Sequence, residues 1–120
     1  MNAPVVQWQI VGSDPDAIAG FYGAVLGWTN QRDNKLGYRQ IPAGDGGIPG
    51  GVWPAPAGTN AFVQLFVRVE NPDQTVAAAM ANGATVIVPV TVLPEGDVMA
   101  VIRDPFGMSV GLVGPRVATA

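Results

Sequence analysis

Gln7 and Gln64 are the polar residues whose type and spacing invite a chemical reading. Each sits in a β-branched and aromatic run, Val5-Val6-Gln7-Trp8-Gln9-Ile10 and Phe62-Val63-Gln64-Leu65-Phe66-Val67-Arg68-Val69. The two glutamines lie 57 positions apart, and Val6/Val63, Pro15/Pro72 and Asp16/Asp73 are identical pairs at that same offset. A carboxamide accepts at its oxygen and donates at its nitrogen. It can hold a small molecule by hydrogen bonds but is a poor base and a weak, neutral metal ligand. The chain has no Cys and no His. That removes thiolate nucleophiles, disulfides, iron–sulfur ligands and Cys-ligated zinc. It also removes the usual general base near neutral pH and every Ser-His-Asp or Cys-His mechanism.

The glutamines must be positioned by a repeated set of elements. After the first run, Ser13-Asp14-Pro15-Asp16 is helix-start chemistry. Asp14 can cap, Pro15 suits the first helical position, and Asp16 favours the positive end of the helix dipole. A helix from Ala17 to Leu26 follows, with Ile18, Phe21, Tyr22 and Val25 at helical spacing and Gly27 as its stop. Asn71-Pro72-Asp73 starts the matching second helix, which runs from about Asp73 to Ala81 and ends at Asn82-Gly83. Short strands are expected at Trp28 to Gln31, Tyr38 to Ile41, Gly51 to Trp53, Thr85 to Val88, Val98 to Arg103 and Met108 to Val113. Asp104-Pro105-Phe106-Gly107 is a turn between the last two. The glycine-rich stretch 43–51 occupies the matching place in the first half, and Pro54 to Gly58 links the halves.

The pattern is βαβββ twice, a duplication. The expected fold class is α+β: two tandem βαβββ modules forming a curved, barrel-like sheet with the helices outside. The 120 residues are read as one domain, with module one about 4–56 and module two about 60–115. Alternation along a strand puts Trp8 and Ile10 under the first helix, and Leu65 and Val67 under the second. Gln7, Gln9, Gln64, Phe66 and Arg68 then face the concave side. Polar side chains are costly in a filled core, so they suit the floor of a pocket; the alternative is an exposed sheet face.

Composition narrows the function classes. Charged residues are only 12% of the chain and hydrophobic ones 48%, unlike a disordered segment. The net charge of −3 offers no phosphate-binding surface, so no nucleic-acid partner is expected. No run of 18 apolar residues and no signal peptide is seen, which predicts a cytoplasmic protein without a membrane partner. The low charge fraction leaves apolar surface to cover, and a homodimer is expected.

Several motifs together resemble the vicinal oxygen chelate superfamily, the group of glyoxalases, bleomycin-resistance proteins and dioxygenases. They are the first strand from Val5 to Ile10, Asp14-Pro15-Asp16, and Phe21-Tyr22-Gly23-Ala24-Val25-Leu26-Gly27-Trp28. To these add the run from Gly46 to Pro54 and Arg103-Asp104-Pro105-Phe106-Gly107-Met108. The resemblance covers nearly all of residues 5 to 115. It implies a divalent metal held by a His or Gln on the first strand and a Glu on the last strand of each module. Those positions here are Gln7 and Gln64, then roughly Gly51 and clearly Gly111. Two carboxamides and two glycines make a poor site for a divalent ion. No metal and no cofactor is therefore expected.

Other residues carry less. The glycine-rich stretch lacks the lysine and the following helix of a phosphate cradle. Trp8 and Trp28 read as core, whereas Trp53 suits an aromatic wall. Asp45, Glu95 and Asp97 lie in loops, and Asp104 can bond turn amides. Tyr38 shares a strand face with Gln40, and a phenol with a pKa of about 10 is a poor base without strong tuning. The expected function is metal-free binding of a small apolar or aromatic compound. Gln7, Gln9, Gln64, Phe66, Trp53 and Gly111 would form the site, as in family members that sequester drugs. The alternative is a lyase, isomerase or dioxygenase-type enzyme using an atypical metal site or acid–base residues.

Overall fold

A computed structural model describes residues 2–32 and 37–117 of the chain. The elements run β1 (Val5–Gly12), α1 (Pro15–Leu26), β2 (Gln31–Arg32), β3 (Arg39–Ile41), β4 (Gly50–Pro54), β5 (Phe62–Arg68), α2 (Pro72–Ala81), β6 (Thr85–Val92), β7 (Val98–Arg103) and β8 (Ser109–Gly114). The α+β class and the doubled βαβββ order expected from the sequence are both present. Two compact units result. One is Gln7–Gln64; the other is Met1–Val6 with Leu65–Ala120.

The two modules pair their strands in the same way. β1 runs parallel to β4, β4 antiparallel to β3, and β3 antiparallel to β2. β5 runs parallel to β8, β8 antiparallel to β7, and β7 antiparallel to β6. The helix starts are equally matched. The Asp14 carboxylate accepts the Ala17 amide at 3.1 Å, and the Asn71 side-chain oxygen Oδ1 accepts the Gln74 amide at 3.2 Å. Each cap satisfies a donor that the first helical turn leaves unpaired. α1 closes on Gly27 at φ 73°, the left-handed conformation that glycine adopts without strain.

In the unit Gln7–Gln64 the helix side holds a core of Ile10, Ala19, Ile41 and Val52, with Trp8, Ile18, Tyr22 and Trp28 packed against it. Trp8 and Ile10 thus lie under the helix as the alternation predicts. Burying one such aliphatic side chain contributes about 1.5–3 kcal/mol. Trp28 stacks on Tyr22 at 5.3 Å and meets Trp8 at 4.7 Å between ring centroids. That packing explains a departure from the expected strand at Trp28 to Gln31: β2 begins only at Gln31, because Trp28 turns into the core.

Arg39 is the buried charge of this unit. It sits on the helix side beside Ile41 and, in register, Val52. Its Nε and Nη2 donate to Asp16 Oδ1 at 3.0 and 2.7 Å, and Nη1 donates to the Gly37 carbonyl. The sequence reading gave Asp16 only a helix-dipole role. A buried guanidinium needs such a partner, because its desolvation would otherwise go uncompensated.

In the other unit Phe66, Val98, Ala100, Val101, Ile102 and Leu112 are buried, and α2 lies against β6, β7 and β8. Leu65, expected beneath that helix, keeps 47% of its surface exposed. β6 runs to Val92 instead of ending at Val88. Its register shifts between Val86 and Val88 and between Val88 and Thr91, around Pro89. β6 pairs with β7 along one side, where a residue lacking an N–H is tolerated at an irregularity. Asp104 builds the turn before β8: its Oδ1 accepts the amides of Phe106 at 2.8 Å and Met108 at 2.9 Å. Among the described residues no helix is long and apolar enough to cross a membrane.

Candidate functional site

The sheet face opposite the helix in the unit Gln7–Gln64 carries the glutamines, and they are hydrogen-bonded in two pairs. Gln64 Nε2 donates to Gln9 Oε1 at 2.6 Å. Gln7 Nε2 donates to the Tyr38 hydroxyl oxygen at 2.6 Å. Gln9 and Gln64 are buried at 9% and 7% exposure, so these are protected bonds, worth more than their solvent-exposed counterparts. No buried polar side-chain atom among the described residues lacks a partner.

Gly51 lets Tyr38 reach this position. β3 and β1 flank β4, and Gly51 pairs with Gln40 on one side and Gln9 on the other. The Tyr38 side chain crosses β4 over Gly51, and a β-carbon there would collide with the phenol oxygen and ring. Mid-strand glycine often marks such a close approach. Trp53, on the same face of β4, lies tilted by 49° against Tyr38 with centroids 5.7 Å apart. Burial raises the Tyr38 pKa above its ordinary 10.0, while the hydrogen bond from Gln7 pulls it down; the net direction is up. The phenol therefore stays protonated through the neutral range.

The second module repeats the device within its own unit. Phe66 pairs in register with Gly111, and a β-carbon at Gly111 would collide with the Phe66 ring. Arg68, further along β5, forms an ion pair with Asp97 at 3.1 Å, both side chains substantially exposed. It is a surface pair of little energetic weight.

A depression of about 540 Å³ also marks the unit Gln7–Gln64. It is lined by Trp8, Trp28, Ile41 and the glycine-rich stretch up to Ile48, where the Trp8 indole N–H donates to the Ile48 carbonyl at 3.2 Å. It lies on the helix side, away from the glutamines. The sequence reading did not place a cavity there.

Of the expected site residues, Gln7 and Trp53 meet Tyr38, Gln64 bonds Gln9, and Phe66 and Gly111 meet each other. Tyr38 itself was considered only as a poor base. The clue that could have promoted it was Gly51, a side-chain-free position paired in register with a glutamine on each neighbouring strand.

Fold and site together define a duplicated βαβββ protein with a carboxamide-lined sheet face. A family model described as a glyoxalase-like domain matches residues 9–113. The chain belongs to this glyoxalase-like family, within the vicinal oxygen chelate superfamily. It is similar to a protein described as a glyoxylase, CFP32, from Mycobacterium bovis and Mycobacterium tuberculosis. The identity is 29% over 110 residues, covering 89% of this chain and 42% of the relative. The chain thus spans less than half the length of the curated relatives it matches. Two solved structures share the fold. A Streptomyces coelicolor methylmalonyl-CoA epimerase variant in complex with 2-nitronate-propionyl-CoA is 17% identical at TM-score 0.62, covering 98% of this chain and 100% of that one. A hypothetical protein, BH1468, from Bacillus halodurans C-125 is 11% identical at TM-score 0.68, covering 100% and 99%.

The superfamily's metal does not fit these residues. The carboxylate positions are glycines whose side-chain space is filled by Tyr38 and Phe66. Gln7 is committed to Tyr38, and Gln64 to Gln9. Among the described residues no three His, Cys, Asp or Glu side chains cluster as a ligand set.

Two outcomes follow from this geometry. Gly51→Ala should destabilise the protein by about 1–3 kcal/mol in urea unfolding, as overpacking does, and by about a third of that in a Tyr38→Ala background. An equal cost in both backgrounds would show that the phenol is not the obstacle. The raised Tyr38 pKa means that the folded state holds the proton more tightly than the unfolded state. Its stabilising contribution is then complete below pH 10 and lost as pH rises through the folded pKa. Alkaline titration of phenolate absorbance, wild type minus Tyr38→Phe, should give a transition above pH 10; one below 10 would contradict it.

Proposed function

We propose that this chain is a metal-free small-molecule binding protein of the glyoxalase-like family, its two modules forming one domain. The ligand-binding residues are Gln7, Gln9 and Gln64, on the face that carries Tyr38, with Trp53 as an aromatic wall, and Phe66 over Gly111 in the second module. The observation that carries this reading is the pair of carboxamide hydrogen bonds, Gln64 to Gln9 and Gln7 to Tyr38, on a sheet face with glycine at the carboxylate position. Such a face offers neutral donors and acceptors but no charged metal ligand and no strong base. The acyl-CoA ligands held by methylmalonyl-CoA epimerases of the same fold support a small organic ligand in general. The enzymatic alternative would need Tyr38 as a base at neutral pH, which its raised pKa disfavours.

The same reading includes a homodimer. Phe21, Val25 and Leu26 on α1 expose 58%, 60% and 54% of their surfaces, an apolar patch on one element.

A thermal-shift screen of planar aromatic compounds tests the binding function. Hits should lose most of their shift in Gln7→Ala and Gln64→Ala and keep it in Ile48→Ala. Hits that weaken only in Ile48→Ala would place the ligand in the helix-side depression and overturn the assignment. Sedimentation of the same protein should give a dimer that Val25→Glu dissociates.

A further inference from the structure

We propose that the helix-side depression of the unit Gln7–Gln64 is a second ligand site, one that takes the unbranched alkyl chain of a small amphiphile. It lies away from the carboxamide face and does not rest on the binding function proposed above.

The depression has the size and the lining of such a site. Its volume of about 540 Å³ falls within the range of roughly 300–1,000 Å³ typical of ligand pockets. Leu26, Ile41 and Ile48 line it together with Trp8 and Trp28. Ile41 is buried, whereas Leu26 and Ile48 expose 54% and 42% of their surfaces. A chain lying against them removes that apolar surface from water, which is the main driving force for an apolar guest. Among the described residues no charged side chain lines the depression, and Thr29 supplies its one hydroxyl.

The tryptophans decide between a chain and a flat ring. A planar aromatic guest gains by offset stacking on an open ring face. Neither indole has such a face to give. One face of Trp8 lies on the backbone of Gly50, where a β-carbon would meet the fused-ring atoms. Its other face meets Trp28 at 4.7 Å, and Trp28 in turn stacks on Tyr22 at 5.3 Å. Both indoles are therefore enclosed in a stack, and the depression meets their edges. Ring edges and branched aliphatic side chains make an uneven wall. A flexible chain follows it by rotating its own bonds, gaining close contact along its length, and a rigid plate does not.

The wall is also held in place. The Trp8 indole N–H donates to the Ile48 carbonyl at 3.2 Å, and the Trp8 amide to the Pro49 carbonyl at 3.3 Å. The Gly47 amide closes back on the Gly44 carbonyl at 3.0 Å. These bonds tie the glycine-rich stretch to β1, so binding does not have to order it.

NMR titrations of the full chain with 1-hexanol, 1-octanol and 1-decanol test the site, read at the Trp8 indole N–H and the Gly47 amide. Both resonances should shift saturably. The Kd should fall about tenfold for each two added carbons, the return from two buried methylene groups. Ile48→Asp places a charge on the wall and should weaken decanol binding about fivefold or more. Should that variant fail to fold, Gly44→Phe serves instead. Gly44 lines the depression, and nothing lies within 4 Å of where its β-carbon would sit, so the added ring should weaken decanol to a similar degree. 2-Naphthol, with the same number of carbons and one hydroxyl, should not displace decanol. Val25→Glu, in the exposed α1 patch, should leave decanol binding unchanged. Absence of a saturable shift, or a Kd that ignores chain length, overturns the site. So does decanol binding that survives both wall variants or is lost in Val25→Glu instead. Displacement by 2-naphthol overturns the alkyl assignment.

Discussion

β4 carries two adjacent glycines, and a ring crosses the strand on each face. Trp8 lies over Gly50 on the helix side, and Tyr38 lies over Gly51 on the other. Successive residues of a strand face opposite ways, so a Gly-Gly pair in mid-strand opens both faces at one point. On the helix side that opening lets the indole settle against Trp28 and complete the core. On the other it lets a phenol span from β3 across to β1. Side chains at these positions would push both rings off the sheet. The close approach of ring to backbone thus ties the core to the carboxamide face.

The same constraint decides what the site can be. In this superfamily the last strand of each module is where a charged ligand would project. Here Gly51 and Gly111 project nothing, and Tyr38 and Phe66 take the volume. The glutamines have partners of their own: Gln7 with Tyr38, Gln64 with Gln9. The poor fit of a divalent metal to these residues therefore has two causes, weak ligand chemistry and occupied space. The second makes it hard to reverse by one substitution, since a carboxylate at Gly51 would meet the phenol first.

Much of the fold was legible because local chemistry and the repeat agreed. Asp14-Pro15 and Asn71-Pro72 cap their helices as their types predict, and Gly27 stops α1. The strand alternation put Trp8 and Ile10 under the helix and the glutamines opposite. What was not legible depended on contacts distant in sequence. Nothing near Asp16 announces Arg39, 23 residues later, as its ion-pair partner. Trp28 reads as core, as found, but its packing on Trp8 and Tyr22 is what keeps it from starting the expected strand. The strand expected to end at Val88 continues past Pro89 to Val92 through an irregular register. At the site, residue types were readable, but Tyr38's role depended on Gly51 on the neighbouring strand, distant in sequence.

The most direct measurement follows the side-chain amide resonances of Gln7 and Gln64 by NMR while metal-stripped protein is titrated with Co²⁺. If aromatic rings and carboxamide partners close the superfamily's metal position, these resonances stay unshifted and unbroadened at equimolar ion. Specific broadening of both amides, saturating at one ion per chain and reversed by chelator, would contradict that claim.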